Sequence, residues 1–120
     1  MKTFKEIFAW QKGYELCLKI YKITSEFPKC EEFGLKSQLR RASVSVISNI
    51  SEGFRRASLK DGIQFYNYSE ASLEEVKCQT MLAHDLGYLD DNAFGEIEHL
   101  QNETGKVLCG WVKSQKSLLH

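Results

Sequence analysis

GLKSQLRRASVSVISNISEGFRR, from Gly34 to Arg56, is the stretch that decides the fold. At helical spacing it carries two stripes. Leu35, Leu39, Ala42, Val46, Ile50 and Gly53 recur every three or four residues, the apolar seam of a helix packed on others. Beside it, Gln38, Arg41, Ser45, Asn49, Glu52 and Arg56 recur with the same rhythm. Polar groups spaced so regularly beside a seam are candidates for hydrogen bonding across a helix interface.

Upstream, the spacing predicts a first helix from about Phe4 to Glu26. Ile7, Trp10, Tyr14, Cys17, Tyr21 and Thr24 form a bundle-type seam, and Leu16, Ile20, Ile23 and Phe27 a second apolar row. An apolar side that wide requires more than one neighbour. Pro28 ends the helix, because the residue before a proline is pushed out of the helical region. Gly34 then admits the chain into the second helix, Leu35 to Arg56 or Ala57.

Downstream, Ser58 caps a third helix from Leu59 to Leu86, with Asp61 in the reciprocal position of a capping box. Its expected face is Phe65, Tyr68, Ser72, Val76, Ala83 and Leu86, with Glu75 and Gln79 alongside. Gly87 reads as a helix stop and Asp90 or Asp91 as the next cap. A fourth helix, Asp91 to Ser117, presents Phe94, Ile97, Leu100, Thr104, Val107 or Leu108, and Trp111. Its glycines, Gly95, Gly105 and Gly110, are costly in a helix interior unless a neighbour approaches closely. The fold class expected is all-α, one antiparallel up-down-up-down four-helix-bundle domain over residues 1–120.

Composition excludes several function classes. No apolar run reaches the roughly 20 residues that span a bilayer, and MKTFKEIFAWQKGYE is too interrupted by charge for a signal peptide, so a cytoplasmic location is expected. Cys17, Cys30, Cys78 and Cys109 form no C-x-x-C pair and read as reduced thiols; with His84, His99 and His120 they supply no metal-ligand spacing. The net charge of zero conceals an asymmetry. From Gly34 to Lys60 there are six basic side chains against Glu52 alone; from Asp61 to Glu103, ten acids against Lys77 alone. One reading is charge complementarity within or between subunits. The other is a basic face for a phosphate backbone, formed by Arg40, Arg41, Arg55, Arg56 and Lys60.

The run from Gln38 to Gly53, QLRRASVSVISNISEG, resembles the Q-L-R-R-A…S-I…N-I-A-E-G signature of the bacterial four-helix-bundle, or 23S ribosomal-RNA intervening-sequence, proteins. Trp10-Gln11-Lys12, Phe27-Pro28, Phe33-Gly34-Leu35 and, in the third helix, Phe65, Ser72-Leu73, Glu75 and Gln79 are similar to that family as well. Ser51 stands where the family has Ala, and Ala71 where it has Gly. The resemblance implies a bundle that assembles with itself, commonly as a pentamer, in a family with no established enzymatic activity, so that no cofactor and no small-molecule substrate are expected. A related branch, the accessory proteins of diversity-generating retroelements, binds a reverse transcriptase and nucleic acid.

Two functions are therefore expected, in order: a homo-oligomeric scaffold, or an RNA-binding accessory module using the basic second helix. In the first, Gln38, Arg41, Ser45, Asn49, Glu52, Ser72, Glu75 and Gln79 form a buried polar network between the second and third helices, fixing register or assembly. A catalytic role for the carboxylates would need perturbed pairs and a nucleophile that the sequence does not supply.

Overall fold

The helix boundaries follow from local chemistry at each junction. In this computed structural model, which describes residues 1–119, four long helices carry the chain: α1 (Phe8–Thr24), α2 (Leu35–Arg55), α3 (Leu59–Asp85) and α4 (Asp91–Lys116). Among the described residues there is no strand. Ser58 Oγ accepts from the Asp61 amide at 3.1 Å to open α3, and Asp90 Oδ1 accepts from Ala93 at 2.7 Å to open α4. Only the Ser58 half of the expected capping box forms. Gly87, at φ 82, closes α3: its amide bonds to His84 O at 3.0 Å while the Tyr88 amide reaches Ala83 O at 2.9 Å. That left-handed step is glycine's natural C-terminal stop.

The expected first helix is interrupted. Thr3 and Glu6 make a reciprocal capping box around a short 3-10 turn, Phe4–Glu6, and Ile7 then extends at φ −76, ψ 118. The extended step drops Ile7 wholly into the core before α1 begins at Phe8. A T-x-x-E cap at positions 3–6 is the signal that marks this break.

Cross-helix contacts fix the directions. Cys17 lies beside Ser43 and Thr24 beside Arg40, so α1 and α2 are antiparallel. Val46 pairs with Ser69 and Ser45 with Ser72 for α2 and α3, and Thr80 pairs with Gln101 and Leu73 lies beside Gly105 for α3 and α4. Lys12 meets Glu103 and Lys19 meets Glu96 to join α1 to α4. Each neighbouring pair thus runs antiparallel, as an up-down-up-down bundle requires. The molecule is 49 × 24 × 21 Å along its principal axes.

The main core runs through Leu16 and Ile20 of α1, Leu39, Val46 and Ile50 of α2, Leu73 and Val76 of α3, and Ile97, Leu108 and Val112 of α4. A smaller cluster of Phe27, Leu35, Ala83 and Leu89 closes one end. In α1, Tyr14 and Tyr21 of the expected seam are exposed, while Cys17 and Thr24 of that seam and Leu16 and Ile20 of the second row are buried and are joined on the core face by Ala9 and Gly13. In α3, Tyr68 and Leu86 are exposed and Phe65 only half-buried; the buried face is Gly62, Ile63, Tyr66, Ser69, Ser72, Leu73, Val76, Thr80 and Ala83. Small and hydroxylic residues occupy places that hydropathy alone assigns to larger ones, because α2 approaches too closely for bulk. In α4, Gly95 and Gly110 face open space, while Gly105 has only Leu73 and Lys77 side chains beside it, the nearer at 3.4 Å.

Candidate functional site

The polar stripe of α2 borders α3, so its candidate contacts fall along the seam between those helices. At its turn end, Gly53 and Gly62 bring the two backbones together, each glycine's missing Cβ leaving room for the other's carbonyl. Two turns higher, buried Ser69 donates to Val46 O at 2.6 Å. Next, Ser45 Oγ and Ser72 Oγ lie 2.8 Å apart, and Asn49 Nδ2 donates to Ser45 O at 2.8 Å and to Ser45 Oγ at 3.0 Å. Asn49 therefore braces its own helix and feeds a two-serine bridge to α3.

Of the eight residues expected in a buried network, Ser45, Asn49 and Ser72 are linked, with Ser72 buried and the other two half-buried. The others are elsewhere. Glu52 is exposed and pairs within its own helix with Arg56 at 3.1 Å, so it does not reach α3. Gln38, Arg41, Glu75 and Gln79, with Ala42 and Ser45, line an open groove of about 450 Å³ on the outside of the α2–α3 seam. Helical spacing placed these side chains on one stripe; the stripe turns outward because no further element of the chain covers it. Gln79 Oε1 is buried there without a hydrogen-bond partner.

The basic residues do not form one surface. Arg40 is used internally: its Nε donates to Thr24 Oγ1 at 2.8 Å, an Nη donates to Tyr21 O at 3.0 Å, and the guanidinium lies 4.5 Å over the Tyr21 ring. It satisfies groups at the C-terminal turn of α1, where a cation is favoured, and so it leaves the expected partner surface. Arg56 is likewise engaged, by Glu52 and by the Phe65 ring at 4.3 Å. Arg41, Arg55 and Lys60 are exposed, and among the described residues none makes an ion pair. The charge asymmetry of the chain is thus not neutralised between α2 and the acidic helices; the lysine–carboxylate pairs that cross between helices join α1 to α4, and His84 meets Asp91 between α3 and α4.

Sequence reasoning missed a second anchored point. In the connection from Lys29 to Gly34, the Glu31 carboxylate accepts from the Leu35 amide at 3.0 Å and from the Tyr88 hydroxyl at 2.9 Å. The Leu35 amide, then the Tyr88 hydroxyl, hold the Glu31 carboxyl below its usual range. The same bond pushes the Tyr88 phenol up to about 12. Glu31 joins the start of α2 to the loop after α3, a contact across 57 positions that no local pattern announces. All four cysteines are free thiols, and among the described residues no cluster of His, Cys, Asp and Glu could hold a metal; His120 lies outside the described residues.

The outer surface of α1 is the other departure. Tyr14, Leu18 and Tyr21 are 44%, 58% and 41% exposed and share one side of the helix, opposite Leu16 and Ile20.

A family model described as 23S rRNA-intervening sequence protein matches residues 5–110. Among solved structures, the chain is similar to the crystal structure of a protein of unknown function from the S23 ribosomal protein family of Bacteroides thetaiotaomicron. The two share 23% identity over 88% of this chain and 98% of that one, with a TM-score of 0.78, a likeness of fold. No curated protein matches the chain.

Proposed function

The chain belongs to the 23S rRNA-intervening sequence protein family, and on that footing we propose that it is a non-enzymatic scaffold that assembles with itself. The observation that carries this reading is the exposed row Tyr14, Leu18 and Tyr21 on α1. Three large side chains on one side of one helix are a costly thing to leave in water, at about 25 cal/mol for each Å² of apolar surface. A contact between copies would remove that cost. The broad apolar side of α1 does not account for the row, since α2 and α4 already cover that side. In this reading the α2–α3 groove is an outer surface for partners, not a catalytic pocket, and the subunit number expected from the family resemblance is five. Among the described residues no helix is long and apolar enough to cross a membrane.

Light scattering of the purified protein at micromolar concentration tests the proposal. A mass several times that of one chain is expected, and native mass spectrometry counts the subunits. A monomer at that concentration overturns it.

A second reading rests on Arg41, Arg55 and Lys60, exposed cations without an ion-pair partner among the described residues. They would bind RNA through its phosphates. Retention on RNA should then fall steeply with salt and drop further in a chain carrying Arg55→Ala and Lys60→Ala. No retention at low salt removes this reading.

A further inference from the structure

Phe33 is the most exposed large apolar side chain of the bundle, with 96% of its surface in water. It is not on a loose segment. Gly34 N bonds to Glu31 O at 3.1 Å, the Glu31 carboxylate is held by Leu35 N and Tyr88, and Leu35 next door is buried in the end cluster. A phenylalanine displayed on an anchored backbone, touching almost nothing of its own chain, has the form of an aromatic anchor for another surface.

A receptor for such a ring needs an apolar floor. The α2–α3 groove would set the ring against Gln38, Arg41, Glu75 and the unpartnered Gln79 Oε1, which costs free energy. The groove between α1 and α4 is different. It measures about 460 Å³, its apolar lining is Leu18 and Leu100, and its polar lining is Glu15, Lys19, Lys22, Glu96 and His99. Lys19 is committed to Glu96, but Lys22 is exposed and makes no ion pair among the described residues. Phe33 is preceded by exposed Glu32, which pairs with Lys36 of its own chain at 3.0 Å and keeps half its side chain in water, so the ring would arrive with a carboxylate able to share its charge with the free ammonium of Lys22.

We propose that Phe33 of one copy seats in the α1–α4 groove of the next, on Leu18 and Leu100, with Glu32 facing Lys22. The inference rests on the self-assembly proposed above and names its contact. Each copy carries one knob and one groove, and where the contact is not returned within a pair its repetition generates a ring or a filament.

The test uses the full chain, sedimentation velocity and the two single variants Phe33→Ala and Leu18→Glu. Both side chains are exposed, so helical content by circular dichroism should match the parent protein. Each variant alone should lose assembly, with association weakened at least tenfold. Mixed together, they should form a two-chain complex: the Leu18→Glu chain supplies the knob and the Phe33→Ala chain the groove. Lys22→Glu, a gentler change, should weaken assembly and regain it when combined with Glu32→Lys. Parent-like assembly by either single variant overturns this contact while leaving self-assembly intact, as does a mixture that stays separate. A monomeric parent protein overturns the self-assembly itself.

Discussion

Gly53 and Gly62 face each other across α2 and α3 so closely that a Cβ on either would lie 2.8 Å from the other's carbonyl oxygen. On Gly53 the same Cβ would also come within 2.5 Å of Tyr66 Cε1. Backbone cannot yield as a flexible side chain can, so this pair sets how near the two helices stand. Every hydroxyl bridge further along the seam depends on that distance.

Gly53→Ala should therefore destabilise the protein by about 3 kcal/mol, the upper part of the range for overpacking. Gly95→Ala is the matched control, since nothing lies within 4 Å of its Cβ. There the better helix former should add about 0.5–1 kcal/mol. Chemical denaturation of both variants measures the contrast, and equal effects would remove the close-approach explanation.

Ser69→Ala removes the 2.6 Å bond to Val46 O but leaves that carbonyl its helical partner. A loss of about 1 kcal/mol is expected. Ser69→Val should cost more despite its greater hydropathy, because the seam has no room for the added methyls. If valine proves the more stable of the two, the seam is looser than described.

Arg40 and Arg41 are neighbours with opposite expected behaviour. Arg40→Ala strips Thr24 and Tyr21 of their charged donor and should cost about 1–2 kcal/mol. Arg41→Ala removes a side chain from an open groove and should change stability by no more than about 0.5 kcal/mol. Thermal melts of the two variants decide it.

The Glu31–Tyr88 bond should tie stability to pH on both sides of neutrality. Glu31 has a folded pKa below its unfolded value, so its contribution is full above the unfolded value of 4.5 and is lost as pH falls through the folded one. Tyr88 is raised from 10.0 to about 12, so its contribution is full below pH 10.0 and is lost as pH rises toward 12. Tyr88→Phe should flatten the alkaline limb and weaken the acid one. Melting temperatures across pH of parent and variant show whether it does.

Much of the fold was legible because helix ends are written locally. Ser58, Gly87 and Asp90 act within a turn of themselves, and the ends they mark fall within a residue or two of expectation. The buried face of α3 was not legible. Hydropathic periodicity counts Tyr68 and Leu86 as core and passes over Gly62, Ser69 and Thr80, whose burial depends on the nearness of other helices. The polar stripe of α2 was read correctly as a stripe and wrongly as an interior. Spacing says which side chains share a side of a helix, not what covers that side, so Glu52 and Arg41 turn out to face water. Arg40 needed knowledge of its partner: nothing within four residues of it identifies Thr24 as the group it would serve.

The hydrogen bond from Thr104 Oγ1 to Lys12 O spans 92 positions, while three residues, Arg56 to Ser58, suffice to turn α2 into α3. The two seams therefore carry unequal entropic burdens. The central hairpin closes cheaply, whereas the outer pair must gather the beginning and the end of the chain. Amide exchange should accordingly be slowest along α2–α3 and fastest where α1 meets α4. The proposed Phe33 contact falls on that same outer seam. A neighbour seated there would clamp the two ends of the chain together, and melting temperature would climb with protein concentration.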